Sequence, residues 1–138
     1  MGLVYYNDMK QENVLTRKQF SLVKRAKSFE DAGRGVRIFL RSTPNAWIQI
    51  ALLVMAIMLG AYFEISQTEW VFLVFAGGFV LAAEAFNTAI EIDIDLTSPQ
   101  YHPFARDIKD VAAGAVLIAA TTALIVGILV LGPYLLNV

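Results

Sequence analysis

After residue 45 the chain carries three apolar stretches separated only by short polar turns. They are "NAWIQIALLVMAIMLGAYF", a run opening "WVFLVFAGGFVLAA", and "VAAGAVLIAATTALIVGILVLG". A helix needs ~20 residues to cross the hydrocarbon core of a bilayer. In lipid every backbone polar group must be satisfied within the spanning element, which leaves only helices and closed barrels. Stretches of this length and continuity predict an all-α membrane protein with three transmembrane helices, at about 45–63, 70–92 and 104–136. The apolar share of 57%, above the ~45–50% of ordinary soluble domains, points the same way. Pro133 is expected where the last helix ends, and Trp47 and Trp70 as anchors at opposite interfaces.

The first 45 residues have a different character, polar and basic. Residues 1–16 are expected to be loosely ordered, within a polar extension over 1–27 that precedes a membrane domain over 28–138. Within 17–42, Phe29, Ala32, Val36, Phe39 and Leu40 recur at helical spacing beside Arg34, Arg37 and Arg41. That pattern predicts an amphipathic helix lying in the membrane interface; a helix packed on the bundle from the cytosol is the alternative. "STPN" then opens the first span, with Pro44 in the first turn and Ser42 or Thr43 as cap. No secretory leader is expected, since the opening residues lack an apolar core. The chain has no cysteine, which excludes disulfides and thiolate metal sites.

Orientation follows from the basic residues. Nine of the eleven Lys and Arg precede residue 42, and the other two, Arg106 and Lys109, border the loop between the second and third spans. The positive-inside rule therefore places the N-terminus and the 97–104 loop in the cytoplasm, and the 64–69 turn and the C-terminus outside.

The second span breaks the apolar pattern with "EAFNTAIEIDID". At ~100° per residue, Asn87, Glu91 and Asp95 fall at about −60°, −20° and +20° from Glu84, on one stripe. Asp93 faces away. At the start of the third span Arg106, Lys109 and Asp110 share a face, followed by small residues that permit close helix contact. Such a stripe could be no more than packing hydrogen bonds and ion pairs, such as Glu91 with Lys109. Ionisable groups at membrane depth are costly and usually functional. The chemistry fits a cation or proton pathway, or metal-dependent phosphoryl transfer in which carboxylates hold Mg²⁺, a lysine steadies phosphate and a carboxylate deprotonates the attacking hydroxyl. There is no P-loop, dinucleotide fingerprint or protein-kinase signature.

The segment "EAFNTAIEIDIDLTSPQYHPFARDIKDVAAGAVLIAA" resembles the signature of the small bacterial lipid kinases, the diacylglycerol and undecaprenol kinase family. It carries Glu84, Asn87, Glu91, Asp95, His102, Lys109 and Asp110 at the family's spacing, and "SFEDAGRGVRIFLRS" resembles the family's surface helix. The resemblance covers about residues 28–137. It implies a homotrimer in the bacterial cytoplasmic membrane that moves the γ-phosphate of ATP, with Mg²⁺, to a lipid primary hydroxyl. The lipid is diacylglycerol or undecaprenol, and no nucleic-acid partner is expected. By position Glu84 is the implied general base, with Asn87 orienting the hydroxyl or a phosphate oxygen. Glu91 is the implied metal ligand. Lys109, Asp110, Asp95 and Arg37 are implied at the nucleotide, and His102 in a structural role. Two positions depart from the pattern. Thr43 stands where many members have a metal-site Glu and offers only a neutral oxygen, and Gln49 stands where members often have His or Glu. A small oligomeric cation or proton pathway, and a structural adaptor, are the non-enzyme alternatives; Lys109 beside the acidic stripe favours the kinase over both.

Overall fold

The computed structural model describes residues 22–136, all four of its elements α-helical. They are α1 (Leu22–Ser42), α2 (Pro44–Tyr62), α3 (Gln67–Thr97) and α4 (Pro103–Leu136). The expected loose order of residues 1–16 lies outside the described residues. The chain divides into two compact units, one ending at Val36 and one beginning at Arg37. The first contributes the N-terminal part of α1, which lies within the stretch 17–42 expected to be helical. An exposed Arg34–Asp31 pair at 3.6 Å lies one turn apart there, a contact worth ~0–1 kcal/mol.

In the second unit α2, α3 and α4 are each long and apolar enough to cross a membrane. Many of their large apolar side chains point outward: Phe75, Phe86, Val111 and Leu129 are each at least 70% exposed. In water that surface would aggregate; on a membrane span it faces lipid or another helix. The chain is a membrane protein of three spans.

Pro44 occupies the first turn of α2, where its missing N–H is one that the helix would leave unpaired anyway. Thr43 is the N-cap residue in backbone terms, with φ −122° and ψ 94°, but its side chain caps nothing. The expected cap is corrected: the hydroxyl turns to α3 instead.

The turn from α2 to α3 is tight. Ile65 N–H donates to Gly60 C=O at 3.2 Å and Glu64 N–H to Ala61 C=O at 3.4 Å, the paired closure that ends many helices with a left-handed residue. Glu64 fills that left-handed position, φ 52°, where glycine is usual. Gly60 has its own reason: a Cβ there would lie 2.9 Å from the Ile65 side chain and 3.0 Å from the Trp70 ring. Trp70 is thus packed into this corner. α3 then starts at Gln67, earlier than the apolar pattern suggests, because Ser66 and Glu69 form a reciprocal capping box. It ends only at Thr97, five residues beyond the expected limit, with Pro99 just after it.

The same end of the bundle holds the apolar core of Ile65, Leu73, Val130 and Leu131. Phe63 and Tyr134 stack at 5.7 Å, and the Tyr134 hydroxyl donates to Glu69 Oε2 at 3.0 Å. Pro133 lies in the last turn of α4, which ends at Leu136 as expected. One proline removes a single backbone donor, and here it falls in the last turn, where little helix remains to disrupt.

α3 packs most extensively on α4 and less on α2, while α2 and α4 barely meet. Leu53 lies directly over the bare backbone of Gly77, bringing α2 close to α3. Between the three helices the unequal contacts leave an apolar groove of about 410 Å³, running from Gln49 past Leu53, Val80 and Ile128 to Leu135.

Candidate active site

The stripe read from the sequence lies on the C-terminal half of α3, and its burial falls off along the helix. Glu84 is 3% exposed and Asn87 8%, whereas Glu91 and Asp95 are exposed. The gradient follows from what packs against each turn. At Glu84 α3 is flanked by α2; α2 starts beside Thr88, so beyond Glu91 it no longer covers α3 and one side opens.

Glu84 is held rather than merely buried. Gln49, one and a half turns into α2, donates through Nε2 to Glu84 Oε2 at 3.0 Å. One turn along α3, the Thr88 hydroxyl can close back on the Glu84 carbonyl at 2.9 Å. The same hydroxyl lies 2.6 Å from the Thr43 hydroxyl, with Thr43 9% and Thr88 5% exposed. A buried polar group is tolerated when it is paired, and this pair joins the start of α2 to α3 one turn from Glu84. Asn87 Nδ2 donates to Glu91 Oε1 at 3.1 Å, linking two successive members of the stripe. Two buried oxygens are left over: Gln49 Oε1 and Asn87 Oδ1 have no donor among the described residues.

The exposed end is an array of ions. Lys109 Nζ bonds to Asp95 Oδ1, and Arg106 pairs with Asp110 at 3.5 Å one turn apart on α4. The structural reading of the stripe paired Lys109 with Glu91; the structure pairs it with Asp95. These four residues line a polar pocket of about 310 Å³ together with the loop residues Ser98 and His102. His102 is exposed, its ring 5.5 Å from that of Phe104. Arg37 stands exposed on α1 and makes no ion pair among the described residues.

The donor set bears on a divalent metal. No three acidic or imidazole side chains converge among the described residues. Thr43 is neutral and committed to Thr88. Glu91 remains as an accessible carboxylate already steered by Asn87. That set fits Mg²⁺, which commonly takes one or two protein carboxylates and completes its shell with water and substrate phosphates; it does not resemble an all-protein cage.

Sequence spacing placed Glu84, Asn87, Glu91 and Asp95 on the stripe and Lys109 and Asp110 beside it, and the structure brings these together. It passed over Thr88, which lies at about +40° on the same stripe by the same rule. It marked Gln49 only as a departure from pattern, although a lone Gln in the apolar first span was signal enough to ask what it bonds.

Residues 30–131 match the family described as prokaryotic diacylglycerol kinase. An undecaprenol kinase of Bacillus subtilis is 37% identical over 109 residues, covering 79% of this chain and 89% of that protein. A diacylglycerol kinase of Synechocystis sp. is 37% identical over 111 residues, covering 80% of this chain but 63% of that longer protein. A diacylglycerol kinase of Helicobacter pylori is 29% identical over 124 residues, covering 85% of this chain and 94% of its own length.

Proposed function

The chain belongs to the prokaryotic diacylglycerol kinase family and is a lipid kinase, and we propose that it transfers the γ-phosphate of ATP to the primary hydroxyl of diacylglycerol or undecaprenol, with Glu84 as general base. The observation that carries this reading is the buried, hydrogen-bonded Glu84 at the head of a stripe that ends in a lysine-bearing polar pocket.

Phosphoryl transfer asks little of a protein beyond positioning and charge. The lipid reaches Glu84 along the apolar groove, its hydroxyl leading. Glu84 takes the hydroxyl proton as the oxygen bonds to the γ-phosphorus, and the bond to ADP breaks with the electron pair leaving on ADP. Asn87 presents its free Oδ1 or its amide to the reacting oxygens. Lys109 exchanges Asp95 for phosphate, with Asp95 and Asp110 bordering the nucleotide. Arg37 adds charge from α1. Glu91 would hold Mg²⁺ when it enters with the nucleotide, and the ion would supply positive charge to the transferring group.

The exposed apolar flanks of α2 and α4 support a homotrimer, since three thin helices leave the groove open on one side. The distribution of Lys and Arg supports a site on the cytoplasmic face of the membrane with the C-terminus outside.

The test is ATP consumption with Mg²⁺ by the purified protein in mild detergent, with diacylglycerol and undecaprenol added in parallel and Glu84→Gln as control. Lipid-dependent turnover lost in the variant is the expected result, and the faster lipid identifies the substrate. Near-normal turnover by a folded Glu84→Gln protein would sink the general-base assignment. Ion flux without ATP dependence would favour a cation pathway.

A further inference from the structure

Three independent observations meet at Gln49. Its Nε2 donates to Glu84 Oε2 at 3.0 Å. Its Oε1 is buried and has no donor among the described residues. It is also the polar side chain among the residues lining the apolar groove, at the end nearest Glu84. A buried acceptor without a donor is costly and rare in folded proteins, so this oxygen calls for a donor from outside the chain. A groove lined otherwise by apolar groups admits a molecule that is apolar along its length and polar at its leading tip.

We propose that Gln49 is the positioning residue for the phosphoryl acceptor, fixing Glu84 in one rotamer and holding the incoming lipid hydroxyl beside it. The proposal rests on the reading of Glu84 as general base. The amide serves both tasks because its donor and acceptor project from one rigid plane. Its N–H occupies Oε2 of Glu84 and leaves the other carboxylate oxygen to receive a proton. Its Oε1 lies where the hydroxyl arrives, so the O–H is shared between two acceptors until the carboxylate, the stronger base, takes the proton. The amide itself gains and loses no proton. Being neutral, it holds the carboxylate without contributing a second charge, as a Glu at this position would.

The experiment is a double-mutant cycle on the full-length protein in detergent. Gln49→Met keeps an unbranched side chain of similar length in the groove but removes both the donor and the acceptor. We expect its kcat to fall about 10- to 100-fold, within the range by which a general base contributes, while the KM for ATP changes by less than about twofold, as for a group that acts only at the acceptor. In the Glu84→Gln background the same substitution should lower the residual rate, followed by long radiometric assays, by clearly less than it lowers the wild-type rate, since only the hold on the hydroxyl is then left to lose. Interaction through a shared partner shows as such non-additivity, and a purely structural role for Gln49 would not produce it. Costs that multiply in the double variant would overturn the proposal. A folded Gln49→Met protein with wild-type kcat, alongside an inactive Glu84→Gln, would overturn it too and leave the lipid kinase reading standing. Full activity in Glu84→Gln would overturn both.

Discussion

The hydroxyls of Thr43 and Thr88 meet at 2.6 Å across 45 residues of chain, in a site where neither side chain is more than 9% exposed. Each hydroxyl satisfies the other, and Thr88 is also placed to bond the Glu84 carbonyl. Thr88→Val should destabilise the protein by about 1–3 kcal/mol, because it strands the buried Thr43 hydroxyl, and Thr43→Val should cost less, because the Thr88 hydroxyl keeps the Glu84 carbonyl. The double variant should cost clearly less than the sum of the two. Denaturant unfolding in detergent, followed by circular dichroism, checks both statements; additive losses would show that the hydroxyls do not depend on each other.

Lys109 is the partner of Asp95 in the polar pocket. Lys109→Met leaves the helix-forming tendency of α4 nearly intact and removes the charge. The apparent KM for ATP should rise at least about tenfold, the loss expected of one charge-assisted phosphate contact of ~1.5–3 kcal/mol. Stability should change by less than about 1 kcal/mol, since the pair is exposed. An unchanged ATP dependence would remove Lys109 from the nucleotide site.

Glu91 accepts from Asn87 and is open to solvent. As the accessible carboxylate of the stripe nearest Glu84 and Asn87, it should carry the protein's share of metal binding. Glu91→Gln should shift the half-saturating Mg²⁺ concentration upward by about tenfold or more, with far-ultraviolet circular dichroism unchanged. Titration of Mn²⁺ in the presence of ATP, read by electron paramagnetic resonance, gives the same comparison without turnover. Equal metal affinity in the variant would place the ion elsewhere.

The opposite end of the bundle offers a stabilising change. Glu64 holds a left-handed backbone conformation, φ 52°, which costs an L-residue roughly 1 kcal/mol or more. Glu64→Gly should therefore raise the midpoint of thermal unfolding, by an amount corresponding to about 0.5–1 kcal/mol, with turnover unaltered. Gly60→Ala, in contrast, drives a methyl into Ile65 and Trp70 and should lower it.

The sequence made the three spans legible because apolar length is a strong signal in lipid, and it made the acidic stripe legible because helical angles add up reliably over three turns. The errors arose where a local rule met a tertiary partner. Thr43 sits at a cap position, but Thr88 on another helix claims its hydroxyl. Lys109 faced the stripe correctly, yet which carboxylate it reached depended on how far α4 lies along α3, a register that spacing within one helix cannot supply. Gln49 drew notice only by its identity, since its importance lies in a contact with a residue 35 positions away.

The bundle sets its helix directions at one end and leaves buried oxygens unpaired at the other. Ile65, Trp70, Glu69, Phe63 and Tyr134 form a joint around a four-residue turn, far from Gln49 and Asn87. Substitutions can therefore accumulate among the polar residues near Glu84 without loosening the joint that orients the helices. On the proposed reading of Glu84, a descendant of this chain could come to accept a different alcohol while inheriting the same turn between α2 and α3.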